Sequence, residues 1–149
     1  MTIIIYENTT NTIIHVQSNI DLGREDFVFK GFLRRKCLDS ALYGYTTTVF
    51  DQTSLRFRAG YTIENGEVAK RLVMPIVYDK TEIFADTEDA ITLTGLPDPC
   101  TVTYIGPGFT QDGEVTGGTA VFTTDTPGTH TVKVVAFPYL DWEGTFNAV

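Results

Sequence analysis

The chain has 149 residues, 42% of them hydrophobic and 20% charged, with 13 Gly, 6 Pro and a net charge of −8. This composition excludes a disordered or low-complexity chain, and the length suits one typical domain or two small ones. No apolar run approaches the ~20 residues that cross a bilayer, so no membrane partner is expected. The opening Met1-Thr-Ile-Ile-Ile-Tyr-Glu lacks the basic start and long apolar stretch of a signal peptide. Cys37 and Cys100 are too sparse for a disulfide scaffold and are expected to be free thiols.

From the N-terminus, Ile3–Tyr6 and Thr12–Val16 read as strands around the hairpin loop Asn8-Thr9-Thr10-Asn11. Asp26 to Tyr43 is ambiguous. Phe29, Phe32, Leu33, Cys37 and Leu38 approximate helical spacing, which allows one short helix, although Gly31 weakens it. Tyr45–Phe50 and Ser54–Phe57 are strand-like. Tyr61–Ile63 and Val68–Val73 flank Glu64-Asn65-Gly66-Glu67, and Asn-Gly between apolar runs is a strong hairpin signal. Met74-Pro75 then marks a boundary, because proline favours extended backbone and removes a donor.

Charge changes at the same place. Residues 1–78 carry nine Lys/Arg against eight Asp/Glu, a net +1, whereas residues 79–149 carry Lys80 and Lys133 against eleven acids, a net −9. Phosphate contacts need clustered cations, and only Arg34-Arg35-Lys36 forms a cluster, so nucleic acid is not an expected partner. Two domains are predicted, a β-rich segment at 1–76 and a second at 79–149.

In the second segment short strands alternate with turns. They are Glu82–Ala85, Ala90–Thr94, Thr101–Ile105, Gly113–Thr116, Thr119–Thr123, Thr129–Phe137 and an edge strand at Glu143–Val149. Seven short strands at roughly 8–12-residue spacing predict a small antiparallel Ig-like β-sandwich. The fold class is therefore mainly all-β. Cys100 is single here and Trp142 follows the longest strand, so the Cys…Trp…Cys signature of antibody domains is missing.

The run Tyr61-Thr-Ile-Glu-Asn-Gly-Glu-Val-Ala-Lys-Arg resembles the hairpin that closes the N-terminal part of many small structural proteins of tailed phages. The segments Lys80-Thr81-Glu82-Ile83, Ala85-Asp86 and Ile91-Thr-Leu-Thr-Gly-Leu-Pro97 are similar to the same proteins. So are Pro99-Cys100-Thr101-Val102, Thr124-Asp-Thr-Pro-Gly-Thr-His-Thr-Val132 and Phe137-Pro138-Tyr139. The resemblance covers roughly residues 60–142 and implies a phage-encoded, Ig-like, virion-associated protein made in the host cytoplasm. It departs from those proteins at Ile105–Gly113, which reads as a longer loop and a candidate surface contact through Pro107 and Phe109, with Trp142 as a third contact residue.

The chemistry-bearing residues point away from catalysis. His15 and His130 lie 115 positions apart, and no G-x-S-x-G elbow is present. Both histidines read as strand residues facing solvent or a polar neighbour. Asp86, Glu88, Asp89 and Asp98 could gather around calcium, but without the D-x-[DN]-x-[DN]-G loop they read as solvated turns. Gly106-Pro107-Gly108 and Gly117-Gly118 lack the lysine and helix of a phosphate loop and read as turns. No cofactor or metal is expected.

Aromatics crowd the first half, and a segment of about 76 residues cannot hide all of them. Phe27, Phe29, Phe32, Arg34, Arg35, Arg56 and Arg58 are the candidate interface, since exposed aromatics with Arg suit protein–protein contacts. The expected function is a non-enzymatic tail or fibre-associated virion protein, a homo-oligomer in the particle, docking on other phage structural proteins. Two other readings stay open, a capsid decoration protein and a module binding host-surface glycans through Phe109, Tyr139 and Trp142.

Overall fold

A computed structural model describes residues 1–18, 20–48 and 59–149. The chain divides into two compact units, Met1–Arg71 and Leu72–Val149. The division falls before Met74-Pro75, because Met74 is buried in the second unit's core and Val77–Tyr78 forms a strand there. A domain beginning at 79 would lose both. The expected strand at Ser54–Phe57 lies outside the described residues.

In the first unit β1 (Thr2–Glu7) is the central strand of an antiparallel sheet, flanked by β2 (Ile13–Gln17) and, beyond the helix α1 (Glu25–Lys36), by β3 (Tyr43–Thr48). Ile3, Ile4 and Ile5 are all fully buried. Alternate residues of a strand face opposite sides, so three consecutive buried positions require cover on both faces. Ile3 and Ile5 pack with Phe29, Phe32 and Leu33 of α1, while Ile4 packs with Ile13, Val16 and Ile63. The ambiguous stretch is thus helical because one sheet face needs a lid. Gly31 does not break the helix, which ends at Cys37 with a left-handed φ of 54°.

Ile63 comes from the hairpin of β4 (Tyr61–Glu64) and β5 (Glu67–Lys70). Asn65 and Gly66 make its two-residue turn with φ of 52° and 80°, the type I′ geometry that Asn-Gly predicts.

The second unit holds two sheets. β6 (Val77–Tyr78), β8 (Ile91–Thr94) and β11 (Thr119–Phe122) form the smaller, in the order β11-β8-β6. β7 (Glu82–Ile83), β9 (Cys100–Gly106), β10 (Phe109–Val115), β12 (Gly128–Val135) and β13 (Trp142–Ala148) form the larger, in the order β10-β9-β12-β13-β7. Ile91 and Leu93 of one sheet share a single core with Val102, Val132, Val134 and Phe146 of the other. This is a β-sandwich with Ig-like strand order, in which the start of the second unit lends one short strand to each sheet, β6 to the smaller and β7 to the larger.

Two expected features differ. The tail is not an edge strand, since β13 lies between β12 and a parallel β7. The candidate strand at Gly113–Thr116 is the end of a longer one that begins at Phe109.

Gly95 closes β8 with φ +77°, and a Cβ there would lie 2.2 Å from the Pro75 carbonyl oxygen. Gly95→Ala adds backbone strain to a collision with main chain, and should lower unfolding stability by at least about 2 kcal/mol in urea titration. Tyr78 packs on Trp142 at 5.4 Å, and its buried hydroxyl has no hydrogen-bond partner among the described residues. Burial pushes its pKa from 10.0 up to about 12. A raised folded-state value means a stabilising contribution that is full below pH 10 and lost as pH climbs toward 12. Tyr78→Phe should be neutral to stabilising, by up to about 1 kcal/mol, and should flatten that alkaline loss in thermal melts across pH.

Candidate interface surface

Helix α1 has an inner and an outer face. Phe29, Phe32 and Leu33 share the inner one, because residues three and four apart align on a helix. Phe29 meets Tyr45 with ring centroids 5.0 Å apart, and Phe32 stacks on His15 at 4.5 Å. Phe29 and Phe32, expected at an interface, are therefore core residues that seat the helix on its sheet. Arg56 and Arg58 lie outside the described residues.

The other candidates face outward. Phe27 is 71% exposed and Leu22, just before the helix, is 85% exposed. The Arg24 guanidinium sits over the Phe27 ring, 5.4 Å from its centroid, an arrangement of cation and aromatic face that adds rigidity to an exposed anchor. Two helical turns after Phe27, about 10 Å along the axis, come exposed Arg34, Arg35 and Lys36. These three lie at the negative end of the helix dipole, which favours cations there. Asp26 and Lys30 pair at 2.6 Å between the two ends. Arg34, seven residues on from Phe27, shares its face, with Arg35 beside it, whereas Lys36 aligns with Phe32 and Leu33 at the helix end. The outer face therefore presents an apolar end and an arginine end, a pattern suited to a protein surface with an apolar socket beside acidic groups.

The second candidate site is reorganised. Phe109 pairs with Gly106, so Pro107 and Gly108 alone form the turn of a β9–β10 hairpin, with Gly108 at φ +86°. There is no long contact loop at 105–113. Proline followed by a positive-φ glycine suits a type II turn, and the Pro107-Gly108 pair itself is the sequence signal for it. Phe109 folds back edge-on to Tyr104 at 5.2 Å, and a Cβ at Gly106 would lie 2.2 Å from its ring.

Trp142 is half-buried and pairs with Val134, whereas Phe109 sits at the opposite end of the strands. With about 3.3 Å per residue, four residues separate their rows by about 13 Å. Pro107, Phe109 and Trp142 do not form one surface.

His130 is fully buried beneath this hairpin, stacked on Phe146 at 5.2 Å and on Tyr104 at 5.5 Å. Its Nε2 lies 2.9 Å from the Thr126 carbonyl, which can only accept, so Nε2 carries the proton. Nδ1, 2.9 Å from the Tyr104 hydroxyl, is left to accept. Burial raises the Tyr104 pKa, with a Thr124 hydrogen bond opposing, which keeps that donor protonated. Both ring nitrogens are thus occupied by structural partners.

The acidic turn is similarly occupied. Asp86 Oδ1 accepts the amides of Glu88 and Asp89 at 2.9 and 2.8 Å, and Asp89 accepts the Phe84 amide at 3.0 Å and pairs with Lys80. The Lys80 and Phe84 hydrogen bonds hold the Asp89 carboxyl below its ordinary pKa. Among the described residues no three His, Cys, Asp or Glu side chains gather to hold a metal. Cys37 is an exposed free thiol; Cys100 is buried, and burial with nearby Asp98 pushes its thiol pKa up.

No family model, curated protein or solved structure matches this chain.

Gly31 lies in the middle of α1, and a Cβ there would meet nothing within 4 Å. Gly31→Ala should stabilise the protein by about 1 kcal/mol, through helix propensity alone. A thermal melt of the variant beside the natural chain measures the difference.

Proposed function

We propose that this chain is a non-enzymatic structural protein of a tailed-phage particle, a tail or fibre-associated component held by its N-terminal unit and presenting an acidic Ig-like sandwich. The observation that supports it best is the outer face of α1. Leu22 and Phe27 are large apolar side chains left in solvent at one end of a helix whose inner face is fully engaged, with Arg34, Arg35 and Lys36 at the other. Such a face suits docking onto a larger protein assembly.

A capsid decoration protein would use the same anchor on a different lattice, and copy number separates the two. The glycan-binding reading gains less support, because Phe109 and Trp142 lie at opposite ends of the strands and Tyr139 is half-buried.

The test is quantitative mass spectrometry of purified particles, tail-less heads and isolated tails. The expected result is enrichment in tails, at tens of copies or fewer. Retention in heads at hundreds of copies would replace it with the decoration reading, and absence from particles would overturn both. A full-length Phe27→Ser/Arg34→Glu variant should fold normally by circular dichroism and incorporate at a small fraction of the natural level.

A further inference from the structure

The sandwich is unequal, five strands against three, and the excess opens on one side. Phe122 of β11 packs against Tyr104 of β9 at 5.1 Å, so β11 faces β9 and the outermost strand β10 extends past the smaller sheet. The inner side of β10 is therefore uncovered. A cleft of about 310 Å³ lies there, lined by Val102, Tyr104, Gln111, Gly113, Val115 and Val121. A Cβ at Gly113 would meet nothing within 4 Å. The connection from β10 to β11 is Thr116-Gly117-Gly118, three residues that cannot carry a further strand into the gap.

Among the described residues, no strand pairs with β11 on the edge beside this cleft. β11 pairs with β8 on one side, where Leu96 N donates to Gly118 O and Thr87 N donates to Thr124 O at the two ends. Alternate amides and carbonyls of Thr119-Ala120-Val121-Phe122 face the other way. The remaining edges are blunted. β10 carries Asp112 and Glu114, while β6 and β7 are two residues each. β11 has neither charge nor proline, and its Val121 is 62% exposed.

Charge selects the occupant. The unit has two lysines against eleven acids, and Lys80 and Lys133 are paired with Asp89 and Glu143. Asp112 of β10 lies at the cleft itself. A second copy's sandwich would bring the same excess of negative charge. We propose that an extended, lysine- or arginine-bearing segment of a partner protein adds to β11 as a fourth strand of the smaller sheet. Backbone hydrogen bonds would supply affinity and one apolar side chain would fill the space over Gly113. This inference stands on the second unit alone and does not depend on where, or whether, the chain sits on a particle.

The test titrates the labelled full-length protein with a nine-residue peptide alternating valine and threonine with lysine, and with its glutamate counterpart. Amide exchange and chemical shifts are the readout. The lysine peptide should slow exchange at Thr119–Thr123 by roughly tenfold or more, and binding should weaken as salt is raised. Gly113→Trp should fill the cleft and abolish the effect. Val121→Lys, a change at an exposed position, should repel the peptide and serves if the tryptophan variant fails to fold. Three results would each overturn the proposal: no change at β11, equal binding of the glutamate peptide, or protection of the same amides by concentration-dependent dimerisation without peptide.

Discussion

An apolar sheet face must be covered, and in this protein the arrangement of each unit follows from how that demand is met. In the first unit Ile3, Ile4 and Ile5 leave no exposed side to β1, so α1 closes one face and the β4–β5 hairpin supports the other. Placing Phe29, Phe32 and Leu33 against the sheet fixes the rotation of the helix. Phe27 is then forced outward with the arginines. The exposed apolar and cationic face is thus a by-product of how the core is satisfied.

In the second unit the same demand is met incompletely. The central strands β12 and β9 have cover, and His130, Val132 and Val134 are fully buried. A buried histidine in that row is tolerated because Thr126 and Tyr104 satisfy both ring nitrogens, where an unpaired one would be costly. Toward β10 the cover runs out, and Gly113 occupies the inward position in line with Trp142, Val134 and Val102. A side chain there would have nothing to pack on.

Much of this was legible in the residues. Asn65-Gly66 specifies a turn whose φ values few other pairs adopt, and Thr/Val alternation marked β9 and β12. What escaped notice depended on long-range pairing. Val77–Tyr78 is too short to carry a period and becomes a strand only because β8 offers an edge to join, and the expected strand at Glu82 gives no sign that its partner is β13, in parallel. Phe109–Val115 is polar on both faces, since neither is buried, so periodicity could not reveal it. Phe29 and Phe32 looked like interface candidates because aromatic content says how much surface must be hidden, while the helix's neighbours decide which rings are.

The parallel pairing of β7 with β13 also bears on mechanical load. Ala85 N donates to Val149 O, Asn147 N to Thr81 O and Val149 N to Ile83 O, tying the first strand of the larger sheet to its last. If the start of β7 and the end of β13 are pulled in opposite directions, the force runs along the strands and across these bonds. They then bear tension together and must break together in shear, whereas a hairpin pulled at its open end unzips one bond at a time. Residues 81–85 and 147–149 therefore form a small force-bearing clasp between the first and last strands of the larger sheet.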